Sequence, residues 1–290
     1  MGGFLRRHKR VIPYLLLAPG LLWLALFYIV PSFQMLLTSF WSGTLETGYE
    51  FSLSNVSNYT EALTRFWPQF SRSIIYGAAA TLLTFAISYP LAYTIAFRGG
   101  RYKNLLLFLV VAPFFTSFLL RTISWKIILG DTGILLGPLK DIGLLPAEFQ
   151  LLATPIAVVA GITYNFLPFM TLPIYVSLEK IDRRLVEAAE DLFATSIGAF
   201  RRITFPLSLP GVFAGSLLTF IPAMGDYINA ELLGNPQTTM IGNVIQNQFL
   251  TQNNYPTASA LSFILMAGIL VAVAVYARLL GTEELTAGGV

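Results

Sequence analysis

The chain has no cysteine and one histidine, His8, among its 290 residues. Without thiols it forms no disulfide, although that absence identifies no redox compartment. A metal centre needs clustered Cys, His or carboxylate ligands, and no His/Cys cluster is available. Most nucleophile–base pairs of membrane hydrolases are excluded for the same reason, and an intramembrane aspartyl site would need two Asp within spans, where Asp226 is the one candidate. No G-x-x-x-x-G-K-[ST] run occurs, so the chain has no P-loop with which to hydrolyse ATP. Charge is scarce as well. Asp, Glu, Lys and Arg make up 11% of the residues, against about 25% in a soluble domain. The net charge is only +3, and no nucleic-acid partner is expected.

What is abundant is apolar sequence: 55% of residues are hydrophobic and the mean hydropathy is +0.68. A bilayer-spanning helix needs roughly 20 apolar residues, because its backbone groups must be satisfied within the segment. Six segments qualify: 13–40, 73–97, 104–129, 151–178, 206–230 and 257–280. The ten-residue alternation of a barrel is missing, so the expected class is all-α, a polytopic membrane protein with six transmembrane helices. No linker or low-complexity tract divides it, which predicts one transmembrane domain over 1–290. The basic start followed by an apolar run resembles a signal peptide, but the run from Tyr14 to Phe40 is too long and lacks a small-residue cleavage site. A retained first helix is expected.

Lys and Arg favour the cytoplasmic side. They cluster at Arg6, Arg7, Lys9 and Arg10, at Arg98, Arg101 and Lys103, at Lys180, Arg183, Arg184, Arg201 and Arg202, and at Arg278. These alternate connections share one face, which predicts both termini in the cytoplasm. The intervening connections carry Glu46, Glu50, Glu61, Asp131, Asp141, Glu148, Asp226 and Glu231.

One polar stretch stands out, E-A-A-E-D-L-F-A-T-S-I-G-A-F-R-R-I-T-F-P from Glu187 to Pro206. Asp182 is placed to cap a short helix. Leu185, Ala188, Ala189 and Leu192 recur on one helical face, and a second short helix is expected at Ile197–Arg202. The spacing E-A-A, three residues, Gly, nine residues, I-x-L-P resembles the EAA loop of membrane subunits of binding-protein-dependent ABC importers. Glu187, Ala188, Ala189, Ile203 and Pro206 match it. Phe193 stands where Gly is usual, and Phe205 where Leu is usual. Gly there allows a turn at positive φ, so Phe193 predicts either a turn within ordinary dihedrals or an aromatic packed on a partner. The resemblance implies that 182–206 is a cytoplasmic coupling loop that docks into an ATPase, with Asp182, Glu187, Ala188, Ala189, Leu192, Phe193, Ile203 and Pro206 as its contact and framing residues.

Charged and polar residues at membrane depth are costly and point to cavities or interfaces. Arg121 reads as structural, paired to a carboxylate or snorkelling. Asp226 and Glu231 either face a route for a cationic solute or sit in water outside. Tyr164 and Asn165 interrupt the fourth span beside Pro168 and Pro173, as in a kinked, cavity-facing segment, or in a proline kink held by its neighbours. Trp125 and Tyr227 serve as membrane-belt or packing residues, or as ligand contacts. The stretches Arg121–Leu135 and Ile221–Ile245, with the opening P-Y-L-L-L-A-P-G-L, are similar to spermidine/putrescine permeases, specifically the first of their two permease subunits. That resemblance implies a type I ABC importer permease fold in a bacterial inner membrane, and no cofactor bound by this chain. It also implies ATP and Mg used by two partner ATPase subunits, a second related permease forming a heterodimer, and an extracytoplasmic solute-binding protein. The remaining surface would face lipid. The solute would be a polyamine, with another small solute as the alternative. A self-sufficient secondary transporter is the rival class, for which an EAA-like loop has no use.

Overall fold

Apolar helical runs become helices here wherever proline and glycine allow. The computed structural model describes residues 12–44, 46–52 and 54–280. The cationic N-terminal cluster and His8 lie outside the described residues. Helix α1 (Ile12–Leu24) passes through a π turn (Ala25–Ile29) into α2 (Val30–Thr38). Strands β1 (Trp41–Thr44) and β2 (Gly48–Phe51) follow as an antiparallel hairpin with Trp41 opposite Phe51. Then come α3 (Ser57–Arg98), α4 (Lys103–Val111), α5 (Phe118–Ile128), α6 (Leu136–Asp141) and α7 (Pro155–Glu179). The chain continues with α8 (Arg183–Asp191), α9 (Ser196–Ala199), α10 (Phe205–Met224), α11 (Ile228–Leu233), α12 (Ile241–Gln246) and α13 (Tyr255–Leu280).

Among the described residues five helices are long and apolar enough to cross a membrane, and a bent pair makes a sixth crossing when it is counted as one. That pair corrects the expected unbroken third span at 104–129. Gly100–Phe115 and Phe118–Ile128 meet at 94°. Pro113 removes an N–H from the ladder, and Thr116 and Ser117 take extended dihedrals, with ψ 151° and 135°. The expected second span, 73–97, is longer than the apolar run that defined it. Helix begins at Ser57, and the one non-helical residue within α3 is Phe66, two before Pro68. The connections read as loops at 130–150 and 226–256 hold α6, and α11 and α12, respectively.

Contacts group into two units, the first of residues 1–65 and 247–264, the second of 66–246 and 265–290. In the first, the hairpin is pinned by polar side chains. Asn58 Nδ2 donates to the Ser39 and Trp41 carbonyls at 2.9 and 2.8 Å. Tyr49 OH donates to the Asn253 carbonyl at 2.7 Å, and Tyr255 packs between Tyr49 and Phe249. No residue of the Tyr14–Thr38 span is buried against the rest of the described chain.

In the second unit α7 is the central helix, with 13 of its 25 residues buried. It starts at Thr154, whose Oγ1 accepts from Ala157 N at 3.3 Å, and at Pro155 in the first turn. Ile162, Met170, Ile174 and Leu178 are wholly buried against α3 and α10. Because lipid tails are as apolar as leucine, such helices associate through close packing and interhelical hydrogen bonds. Gly211 and Gly215 supply the close approach. A Cβ on Gly211 would collide with the Pro173 carbonyl, and one on Gly215 would lie 2.9 Å from Met170 Sδ. The hydrogen bonds run from Thr171 Oγ1 to Ser88 Oγ at 2.9 Å and between Tyr89 OH and Ser208 Oγ at 2.8 Å.

Candidate functional site: a polar loop and a buried polar network

The stretch between α7 and α10 folds as two short helices joined by a tight turn. Asp182 Oδ1 accepts from Arg184 N at 3.0 Å and caps α8. The end of α8 is closed by Leu192 N donating to Ala188 O at 3.2 Å and Ala194 N donating to Ala189 O at 3.0 Å. The second bond closes a six-residue ring around a left-handed residue, the arrangement that usually selects glycine. Phe193 occupies that position with φ 64°. The reading of a turn within ordinary dihedrals is therefore corrected, because the backbone keeps the glycine-type geometry with a phenylalanine in it. Phe193 is 98% exposed and Leu192 is 81% exposed, so both project outward with nothing among the described residues covering them. Glu187 and Ala188 are exposed, while Ala189, Ile203 and Pro206 are half-buried.

Thr195 Oγ1 accepts from Gly198 N at 3.2 Å and caps α9. The expected separate helix at Ile197–Arg202 is not separate. Residues 196–199 run through a π turn (Phe200–Thr204) directly into α10, giving one rod over Ser196–Met224. Phe200 in that turn packs edge-on against Tyr89 and Tyr93 of α3, with centroids 5.8 and 6.1 Å apart. The turn at Phe193 is thus followed, from Ser196 on, by a continuous helix that includes α10.

The second cluster lies where α5, α7 and α11 meet. Asp226 follows α10 and is 7% exposed. Its two carboxylate oxygens accept from Asn229 N and Asn229 Nδ2, each at 2.8 Å. Asn229 Oδ1 in turn accepts from Asn165 Nδ2 at 3.1 Å and from Thr122 Oγ1 at 3.4 Å. Asn165, 1% exposed, also donates to Thr122 Oγ1 at 3.2 Å. Asn165 and Asp226 are therefore brought together through two residues, Thr122 and Asn229, that sequence reading missed. The available signal was Asn229 three positions after an Asp in an apolar chain. Among the described residues no cationic side chain pairs with Asp226. The alternative of Asp226 as an acid in water is overturned by its burial.

Glu231 is exposed on α11 and accepts from Asn243 Nδ2 at 3.1 Å. The same Nδ2 donates to the Tyr227 carbonyl at 2.8 Å, and the Tyr227 ring is itself exposed. Trp125 and Tyr164 stack edge-on at 5.3 Å between α5 and α7. Tyr164 and Asn165 do not interrupt α7, which continues from Pro155 to Glu179. Arg121 neither snorkels nor meets a carboxylate. It is buried with its guanidinium 5.9 and 5.6 Å from the Phe114 and Phe118 rings, and its Nε and Nη1 have no hydrogen-bond partner among the described residues.

Residues 88–280 match the family described as binding-protein-dependent transport system inner membrane component. The chain belongs to that family. Within it, this permease is 40% identical over 257 residues to the spermidine/putrescine transport system permease protein PotB of Haemophilus influenzae, covering 88% of this chain and 90% of that one. The PotB protein of Escherichia coli strain K12 is 36% identical over 244 residues, 84% of this chain and 88% of its own. The fold of this permease also agrees with the crystal structure of a bacterial ABC transporter involved in the import of the acidic polysaccharide alginate. That agreement has a TM-score of 0.75 at 20% identity and covers 95% and 97% of the two chains. The permease is thus an inner-membrane transport component with the helical fold of ABC importer permeases.

Proposed function

We propose that this chain is the permease subunit of an ATP-driven importer of polyamines. The 40% identity to a spermidine/putrescine permease over 88% of the chain carries the reading. A second related permease completes the translocation pathway. A pair of ATPase subunits binds ATP and Mg, and an extracytoplasmic binding protein delivers the solute. The loop 182–206 docks on the ATPase, with Leu192 and Phe193 as its exposed apolar tip and Glu187 and Ala188 beside them. Both termini are cytoplasmic in this reading. The bias of Lys and Arg toward alternate connections supports the orientation.

On the opposite side, exposed Glu231 and the Tyr227 ring are the first groups a polycation meets. Buried Asp226 holds the start of α11 through Asn229 and adds fixed negative potential. Opposite charges attract more strongly where screening is weak, and an aromatic face adds cation–π attraction. Trp125 and Tyr164 line the continuation of that route between α5 and α7, while buried Asn165 ties α5, α7 and α11 together through Thr122 and Asn229. Proteoliposomes holding the complete complex, supplied with loaded binding protein and internal ATP, test the function. Labelled spermidine or putrescine accumulates, and Glu231→Gln lowers the rate while ATP hydrolysis persists. Accumulation of a sugar or an anion in place of polyamines refutes the assignment. A reporter active only outside the cytoplasm stays silent when fused after Val290, and a strong signal there overturns the orientation.

A further inference from the structure

We propose that Arg183 is a positioning residue that locks the loop's first helix to the end of α3, so that movement of α8 is delivered to α3 as well as to α10. The inference rests on the coupling reading of 182–206. Arg183 is the first residue of α8. Its Nη2 donates to the Ala96 and Phe97 carbonyls at 3.2 and 3.3 Å. Its guanidinium also lies 5.7 Å from the centre of the Phe97 ring. The two carbonyls belong to the last turn of α3, which ends at Arg98.

A helix leaves its last four carbonyls without intrahelical partners. They carry the negative end of the helix dipole, which attracts a cation. An arginine fits this place better than a lysine because its planar fork can serve both acceptors while its face lies on an aromatic ring. The backbone next to it is also fixed, since Asp182 caps the following N–H. Arg183 is therefore held at both its backbone and its tip, as a strut requires.

The neighbouring helices are tied at the same end. Lys103 at the start of α4 reaches both carboxylate oxygens of Glu179, the last residue of α7, at 2.6 Å. Four helix ends, those of α3, α4, α7 and α8, are thus linked by two cationic side chains. By contrast, the side chain of exposed Lys180, which precedes the loop, makes no hydrogen bond, ion pair or ring contact among the described residues. It offers a control with the same charge outside the docking loop.

The experiment uses the whole complex in proteoliposomes and measures solute uptake per ATP hydrolysed, together with ATPase retention on purification. Arg183→Ala keeps the ATPase bound and hydrolysing, but uptake per ATP falls about tenfold, the factor that loss of a charge-assisted pair supports. Arg183→Lys recovers part of the ratio, and Lys180→Ala leaves it unchanged. Because the chain has no native cysteine, spin labels at Arg98→Cys and Asp191→Cys report the α3–α8 distance, and Arg183→Ala broadens its distribution. A wild-type ratio in Arg183→Ala overturns the proposal. So does an equal loss in Lys180→Ala, or loss of the ATPase from Arg183→Ala, which would make Arg183 a docking contact. Failure of the coupling reading itself is seen separately, in Glu187→Lys retaining full ATPase association and uptake.

Discussion

Phe193 holds a left-handed backbone with φ 64° while its ring is 98% exposed, and replacing it by glycine acts on both properties in opposite directions. A non-glycine residue in that region costs roughly 1–2 kcal/mol, and glycine loses about 0.5–1 kcal/mol through its freer unfolded chain. The balance leaves the Phe193→Gly loop more stable by about 1 kcal/mol or less. The aromatic side chain has no packing partner of its own, so its removal costs the isolated permease nothing in core contacts. If the ring enters a cleft on the ATPase, its burial contributes about 1.5–3 kcal/mol to association, equivalent to roughly 10–150-fold in Kd. The assay is a pair of measurements on detergent-purified permease: thermal unfolding alone, and titration with the ATPase subunit. Phe193→Gly holds or raises the melting temperature and weakens binding at least tenfold. Phe193→Ala, which keeps the backbone strain, weakens binding without the stability gain. Wild-type affinity in both variants would refute the argument that the exposed ring is a docking group.

In the polar network, Asn229→Ala removes a side-chain donor from buried Asp226 and the acceptor used by Asn165 and Thr122. A loss of roughly 1–3 kcal/mol for groups left unsatisfied lowers the melting temperature of the permease, and an unchanged melting curve counts against the network. At the α7–α10 contact, Gly215→Leu forces a side chain into Met170, whose Sδ lies 2.9 Å from the position of a Cβ there. Overpacking of that kind costs about 1–3 kcal/mol, read as a lower melting temperature, whereas Gly20→Leu in α1, with open space around it, leaves the curve unchanged.

Local composition was sufficient for five of the six expected spans, because a run of apolar residues imposes helix in lipid whatever its neighbours do, while the third is a bent pair of helices. In the loop, the first helix and its cap were legible, while the expected second helix merges into α10. Glu187, Ala188, Ala189, Ile203 and Pro206 keep a fixed spacing, and Asp182 caps the helix that spacing required. What sequence could not supply was geometry that depends on distant partners. Whether Phe193 adopted positive φ depended on closing the turn through Ala189 and Ala194, and residue type argued against it. The 94° bend is marked by Pro113, yet proline is tolerated inside α3, α7 and α10. Its effect at 113 depends on how the freed backbone groups around Thr116 and Ser117 are accommodated. Asp226 read as a mouth acid because nothing in a linear chain reveals burial. The hydrogen bonds that hold its neighbourhood join residues 43, 64 and 107 positions apart. Periodicity and spacing report what one helix wants for itself; the partners of a buried polar group come from other helices, and only their packing selects them.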